Sequence, residues 1–593
     1  MFTPKFRIPV QNNIFDGYSG IMPDVISIQN WLNNRNYANK NELLNTLIEI
    51  NRIQCKPDIR MSIMAILDAE IQKELSRLIK KTRMVVFPLN KESMRLIDSL
   101  QQLLLETSVA YQIVLHDILS SEESINQYMG SLIPESLFMA FFYLSRLLVE
   151  RFQFYLSEPT FVWQELNQLY LLAEQIGAQD VVIRNDMSIK ESYLQIVILR
   201  ILNPYRLLRM EARKIYYLMK DWAAHCEIAA YSQQRPDNNY VVNLLSDISP
   251  HYFNEKQDAK KFTPGEFEGR IISMDKLRGF LNKQVDEIKQ QNNNQACSYQ
   301  LRIHNEMLQR IDNNSGYHQE RSEERILSKN QIKLVSGLRA CHHFISNKKT
   351  FQPQEELDAQ LQNRYEAEWL KDKPNNNLMI LLEEEKLLKK KYPLGMFHSE
   401  SPSLSESDVT RDDERVHNNL NSVISDVNLE ADQKEFTDNL QEDNWKQKND
   451  SNYGMLLVSK NDIEMPIDVG MLIAYRLNVE KVYSLAIIKW LRVNPHKGIA
   501  IGIRLISVQS RAIAIKRHMC RGAEGQFQRA LLIAGEKVKG KNEQRSLIVP
   551  SGLYKQGSRL DVWHNKKLTN VKITLILLAT DSFEIVAFEV LDK

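Results

Sequence analysis

Cysteine is scarce in this 593-residue chain. Cys55, Cys226, Cys297, Cys341 and Cys520 are odd in number and far apart, and no C-x-x-C occurs. That excludes a disulfide framework and a cysteine-based zinc ribbon, and it fits a reducing cytoplasm, the expected location. Long apolar runs are missing too. The most apolar stretch, Leu137 to Val149, contains Arg146 and is shorter than a bilayer span, so a buried helix is expected and no membrane span. The first residues, Met1-Phe2-Thr3-Pro4-Lys5, lack the charged-then-apolar pattern of a signal peptide. No repeat of 20–50 residues stands out, which argues against a solenoid. What remains is a soluble globular composition, 43% hydrophobic and 25% charged. The length is too great for one ordinary core and implies two or three domains.

The net charge of +2 conceals an asymmetry. Residues 399–450 carry 14 acidic and 5 basic residues, whereas residues 453–593 carry 22 basic and 12 acidic. A basic region beside an acidic one points to an anionic ligand or to an electrostatic contact within the chain.

Residues 1–310 read as an all-helical domain. Met64, Leu67, Ile71, Leu75 and Leu78 recur at steps of three and four, one apolar face of a helix over 61–81. Residues 91–105 and 192–202 repeat the pattern, and Pro204 is expected to stop the latter helix. Trp163, Tyr170 and Leu171 fit a helical core. Over 326–345 the texture changes, and Ile332, Leu334 and Leu338 are compatible with a strand, with helix as the alternative.

Residues 346–444 form a charged insertion. Its first part, 355–391, is helix-prone. Its second, 399–444, is rich in Ser, Asp, Glu and Asn and cannot bury enough apolar surface to offset the entropy of ordering, so disorder is expected. From 445 to 593 the period drops to two. Candidate strands are 454–460, 471–477, 483–493, 500–507, 512–517, 530–534, 546–549, 559–563, 572–578 and 583–591, punctuated by glycine and proline. This spacing predicts an antiparallel β-barrel. The fold class is therefore multidomain α and β, a helical N-terminal bundle followed by a C-terminal barrel.

Two motifs carry the functional reading. Asn449-Asp-Ser451-Asn-Tyr-Gly454 runs straight into the apolar strand Met455-Leu-Leu-Val458 and fits [Asp/Asn]-x-Ser-x-x-Gly. Arg321-Ser-Glu-Glu-Arg325 fits Arg-x-x-x-Arg and precedes the 326–345 segment. Arginine forks onto phosphate oxygens or onto guanine O6 and N7, which lysine cannot match. Asn and Ser complete a guanine edge, and glycine permits close backbone approach.

With the later segments Gly470-Met-Leu-Ile-Ala-Tyr-Arg476, Leu485-Ala-Ile-Ile-Lys-Trp490 and Ile501-Gly502-Ile-Arg-Leu505, the chain resembles PilZ-domain proteins, bacterial receptors for cyclic di-GMP. Within them it resembles a subgroup with a long helical N-terminal region. The resemblance implies a PilZ-like barrel, no catalysis, and cyclic di-GMP as ligand, with no cofactor and no metal. Arg321 and Arg325 would hold phosphate and guanine, Asn449 and Ser451 the guanine edge, and Gly454 the turn. A protein partner would be engaged through the helical domain. The sequence departs from the family's short connection, since 123 residues separate Arg325 from Asn449. The arginine pair and first strand thus occupy 316–345, apart from the rest. The alternative is a degenerate PilZ-like scaffold for protein–protein interaction that binds no nucleotide.

Other motifs read as structural. Arg411-Asp-Asp-Glu-Arg415 repeats the arginine spacing but leads into no strand. Gly535 to Asn542 nearly matches a phosphate loop, yet it lacks the magnesium-binding hydroxyl and the following helix, and is expected to be a hairpin loop. Cys341-His342-His343 has no partner cluster, so a strand-end or buried position is expected. Arg511, Lys516, Arg517, Arg521 and Arg529 form a basic run without aromatic interleaving, so a solvated or ligand-facing surface is expected and nucleic acid is not the expected partner.

Overall fold

The computed structural model describes residues 4–591 apart from 13–22, 36–40, 84, 86, 185–186, 232–239, 254–266, 295–306, 312–325, 352–439, 452–453, 460–462, 464, 495–497, 519–526, 534–544 and 566. The chain divides into two compact units, 1–325 with 489–501, and 326–488 with 502–593.

The first unit is built on helices. They are α1 (Val25–Asn34), α2 (Glu42–Ile50), α3 (Pro57–Thr82), α4 (Lys91–Leu119), α5 (Glu122–Tyr128), α6 (Leu132–Gln153), α7 (Val162–Gln175), α8 (Ile189–Ile201), α9 (Glu211–Trp222) and α10 (Asp275–Asn294). The local signals act as physics requires. Pro57 opens α3, where its missing N–H costs nothing. Ser188 and Glu191 form a reciprocal capping box on α8, and Pro204 follows that helix's end. Met64, Leu67, Ile71, Leu75 and Leu78 are all buried, as their spacing predicts. Trp163 and Tyr170 are core residues, and Tyr170 stacks on Tyr193 at 4.2 Å.

The apolar stretch at 137–149 extends further than its composition suggested. It lies in α6, a 22-residue helix long and apolar enough to cross a bilayer, yet Leu137, Phe141, Leu144 and Leu148 are fully buried inside the unit. The buried Glu150 on α6 accepts from Arg213 on α9 at 3.1 Å, which fixes the register of those helices.

The expectation of an all-helical 1–310 is corrected. After the short pair β1 (Val182–Arg184) and β2 (Met187–Ser188), the strands β3 (Glu227–Ala230), β4 (Tyr240–Asn243), β5 (His251–Tyr252) and β6 (Gly269–Ser273) form an antiparallel sheet of order β3-β6-β4-β5. Runs of two to five residues are too short for periodicity to separate strand from helix. Arg270 on β6 ties this sheet to Glu174 on α7 at 3.1 Å. The unit also includes residues 489–501, where Val493 pairs with Leu156 and donates its N–H to the Tyr155 carbonyl at 2.8 Å. Tyr155 is held at φ +52°, rare for a bulky side chain, with its hydroxyl donating to the Leu207 carbonyl at 3.1 Å.

The second unit contains β7 (Ile326–Leu327), β8 (Gln331–Ser336), α11 (Leu338–Ile345), β9 (Asp443–Ser451), β10 (Gly454–Ser459), β11 (Leu472–Leu477) and the parts of β12 (Ser484–Asn494) and β13 (Gly498–Ser507) outside 489–501. Their sheet order is β10-β13-β12-β11-β8-β9-β7, and β9 also pairs with β10, which closes the ring. The expected strand over 326–345 is thus a strand ended at Gly337 and followed by a helix. Gly337 has φ +84°, a turn a side chain would resist. The first barrel resumes at Asp443, two residues before the expected boundary, so 440–444 is ordered structure.

The strands after Ser507 do not continue this sheet. β14 (Ser510–Arg517), β15 (Gln528–Ile533), β16 (Ser546–Pro550), β17 (Arg559–His564), β18 (Lys567–Ala579) and β19 (Phe583–Val590) form a separate closed barrel of order β14-β15-β16-β19-β18-β17. The single barrel expected over 445–593 is therefore two. Helix α11 lies in a core that both barrels share, with Cys341 and Phe344 packed among Leu472, Leu485, Leu531 and Phe583.

Candidate functional site

The site grows from β9, a strand of almost wholly polar sequence, Asp443-Asn-Trp-Lys-Gln-Lys-Asn-Asp-Ser451. Trp445 and Gln447 point inward, while Asn444, Lys446 and Lys448 are exposed. Trp445 is completely buried and supplies most of the strand's hydrophobic anchoring. Just before the strand, Glu442 accepts from Arg476 Nε at 3.0 Å and from the Tyr483 hydroxyl. Burial pushes the Glu442 carboxyl up, but these hydrogen bonds and the Arg476 charge hold it below its ordinary value. This pins the start of β9 against β11.

One edge of β9 pairs first with β8 and then with β7. Ile332 faces Trp445, and Gln331 faces Lys446. The ladder breaks at 328–330, where the buried Gln447 fills the gap. Its Oε1 accepts from Ser328 Oγ at 2.9 Å and Asn330 Nδ2 at 3.0 Å, and its backbone N–H donates to the Asn330 carbonyl at 2.9 Å. Beyond the break, Leu327 pairs with Asn449 and Ile326 with Asp450. The residue immediately after Arg325 therefore lies beside the Asn-x-Ser-x-x-Gly strand, although 123 residues intervene between Arg325 and Asn449. Arg321 and Arg325 themselves lie outside the described residues.

The other edge of β9 meets β10. Asn449 pairs with Leu456 and Ser451 with Gly454, with two residues of sequence between that last pair. Ser451 Oγ donates to the Gly454 carbonyl at 3.1 Å. A Cβ at position 454 would stand 2.5 Å from the Ile503 carbonyl oxygen of β13, so only glycine lets β10 approach so closely. Asn449 Oδ1 is enclosed and has no hydrogen-bond partner among the described residues, an acceptor that burial makes costly unless a donor arrives. Ile326 and Leu327 beside it are 72% and 86% exposed.

The structure thus brings together Asn449, Ser451, Gly454 and the residues that follow the arginine pair. Sequence reasoning missed β9 itself and the Gln447 clasp. The available signal was the inward Trp445 and Gln447 alternating with charged neighbours. Cys341 and His342 are buried, but on α11 rather than at a strand end. His342 Nε2 lies 3.1 Å from the Ile513 carbonyl, and burial, with the Arg529 charge, pushes the ring down to about 4. No group of three or more His, Cys, Asp or Glu residues among those described could hold a metal. The Arg411/Arg415 pair, the 535–542 loop and residues 352–439 lie outside the described residues.

Known proteins match this arrangement domain by domain. Residues 27–234 match the model described as "Cyclic-di-GMP receptor FimW, N-terminal domain", residues 239–511 "Cyclic-di-GMP receptor FimW, middle PilZ domain", and residues 513–591 "FimW C-terminal beta-barrel domain". The chain belongs to this PilZ-domain family. The boundary between its middle and C-terminal models, at 511–513, falls at the change from the first barrel to the second. The Cyclic-di-GMP receptor FimW of Pseudomonas aeruginosa is 19% identical over 546 residues, covering 90% of this chain and 85% of that protein. No solved structure matches the chain. In this PilZ protein, the Asn449-x-Ser451-x-x-Gly454 segment lies on β9 and β10, and residues 312–325 lie outside the described residues.

Proposed function

We propose that this chain is a cytoplasmic, non-catalytic receptor that binds cyclic di-GMP where the Arg321-x-x-x-Arg325 segment meets the turn from Asn449 to Gly454. The observation that supports this reading is the register of Ile326 with Asp450 and Leu327 with Asn449. In sequence, Arg325 stands immediately before Ile326. Its guanidinium and that of Arg321 supply forked donors for phosphate and for guanine O6 and N7. The enclosed Asn449 Oδ1 supplies an acceptor for guanine N–H groups, and Ser451 sits two residues on in the same turn. Gly454 allows the backbone approach that shapes the turn.

The region 1–310, helical apart from its small sheets, is the surface through which the receptor would engage a protein partner. Cyclic di-GMP can bias that engagement only by its differential affinity for the partner-competent and partner-incompetent states.

Isothermal titration of the full-length protein with cyclic di-GMP, using GTP as control, tests the reading. Saturable binding that is lost in Arg325→Ala and in Ser451→Ala is the expected result. Folded protein that takes up no nucleotide, or an Arg325→Ala variant of unchanged affinity, would overturn it and leave a barrel serving as a protein scaffold.

A further inference from the structure

A second cleft lies within the second unit, away from β9. It is bounded by the turn after α11, the first half of β14 and the tip of the β17–β18 hairpin, and its volume is about 410 Å³. Clefts that hold small molecules span roughly 300–1,000 Å³. Lys349 and Arg511 stand on its walls, both exposed, and among the described residues no aspartate or glutamate lines it. Two further walls are aromatic. Phe351 is held by the Arg529 guanidinium 4.5 Å above its ring and by an edge contact with His342 at 5.4 Å. Trp563 is partly buried on β17, in register with Ala514.

Two polar atoms at this cleft are enclosed and have no hydrogen-bond partner among the described residues, Ser510 Oγ and His564 Nε2. His564 also hydrogen-bonds the Ala512 backbone, which orients the ring. Burial, with the nearby Arg511 charge, pushes the His564 ring below its ordinary value, as a field of positive sign would. Buried polar atoms are normally satisfied, and a pair left open at one cleft marks a place for a ligand's own donors and acceptors.

We infer that this cleft is a second binding site, for a planar organic phosphate of mononucleotide size, with Arg511 and Lys349 facing the phosphate and Trp563 and Phe351 flanking the ring. Phosphate needs permanent positive charge, which these side chains supply without a competing carboxylate. A purine ring is stabilised when it stacks on an aromatic side chain. Ser510 Oγ and His564 Nε2 then complete the hydrogen bonding. The site is independent of the cyclic di-GMP reading, because none of its residues belongs to β7, β9 or β10.

The probe is GMP, titrated calorimetrically into full-length protein with inorganic phosphate as competitor. The expected result is saturable binding, displaced by phosphate, weakened at least about tenfold in Arg511→Glu and again in Trp563→Ala, and unchanged in Ser451→Ala. Arg511 is exposed, so its variant should keep the parent melting temperature and loss of binding would not reflect unfolding. No saturation at millimolar GMP overturns the proposal. So does unchanged affinity in Arg511→Glu, and so does loss in Ser451→Ala alone, which would place GMP at the first site. Equal affinity for GMP and inorganic phosphate would also overturn it, since the aromatic walls would then contribute nothing.

Discussion

The two barrels of the second unit differ in how their rings are completed. In the second, six strands follow one another from Ser510 to Val590, and only two residues of sequence separate β17 from β18. In the first, the ring depends on β9, a polar strand separated from its neighbour β8 by α11 and a long insertion. The second barrel draws its cohesion from alternating apolar residues such as Ile515, Leu547, Leu560 and Ile573. The closing strand of the first is held by one buried tryptophan, one buried glutamine and the Glu442–Arg476 contact. The long connection is thermodynamically tolerable, since each doubling of loop length costs only about 0.6 kcal/mol. The comparison teaches that this protein places its candidate ligand motif on the ring whose closure rests on few residues, beside a ring whose closure rests on many.

The largest expected effect separates the rings directly. Trp445→Ala and Phe583→Ala each empty a fully buried aromatic site and should cost about 3–5 kcal/mol in denaturant unfolding. Only Trp445→Ala should also weaken cyclic di-GMP binding, because only Trp445 anchors β9. Equal loss of affinity in both variants would break the comparison.

A smaller effect concerns the helix that both rings share. His342 is neutral in the folded protein, with its ring pushed down to about 4 from an ordinary 6.5. Below pH 6.5 the unfolded chain takes up the proton that the folded chain refuses, so stability falls as pH drops from 6.5 toward 4 and is level above that window. The full contribution is at most about 3 kcal/mol. Unfolding measured across that range should show the slope, and His342→Gln should flatten it. An unaltered slope would mean that other groups set the acid limit.

The smallest effect tests the clasp. Gln447→Ala removes two side-chain hydrogen bonds that bridge the break between β7 and β8. The expected cost is roughly 1–3 kcal/mol, at about 0.5–1.5 kcal/mol per bond. Hydrogen exchange should quicken at Ser328 and Gln447, whose amides bond across the break, while β14–β19 keep their protection. Uniform quickening in both barrels would show that the rings unfold as one.

How far these features could be read beforehand varied with their chemistry. Each strand candidate from Gly454 to Leu591 coincides with a strand to within a few residues, because apolar residues alternate there between turn formers. The helix over 61–81 was equally legible from its five spaced apolar positions. Of the motif residues, Asn449, Ser451 and Gly454 are brought into one hairpin as their spacing suggested. Strand β9 was not legible, because seven of its nine residues are exposed or only partly buried and the acidic composition before it continues into its start. The short sheet of β3 to β6 escaped notice because its strands have at most five residues.

By itself the sequence determined the long amphipathic helices, the alternating strands after Gly454, and which residue types could grip phosphate and guanine. Those are local properties, set by side-chain period and by the chemistry of single residues. Tertiary structure alone decided that β7 lies against Asn449 and Asp450, that Gly454 passes under the Ile503 carbonyl, and that the C-terminal strands divide into two rings. Strand partners and register are chosen by hydrogen bonds between residues far apart in the chain, and every strand offers the same backbone donors and acceptors. The choice is made only when the buried side chains, Trp445 and Gln447 among them, find the one pairing that encloses them.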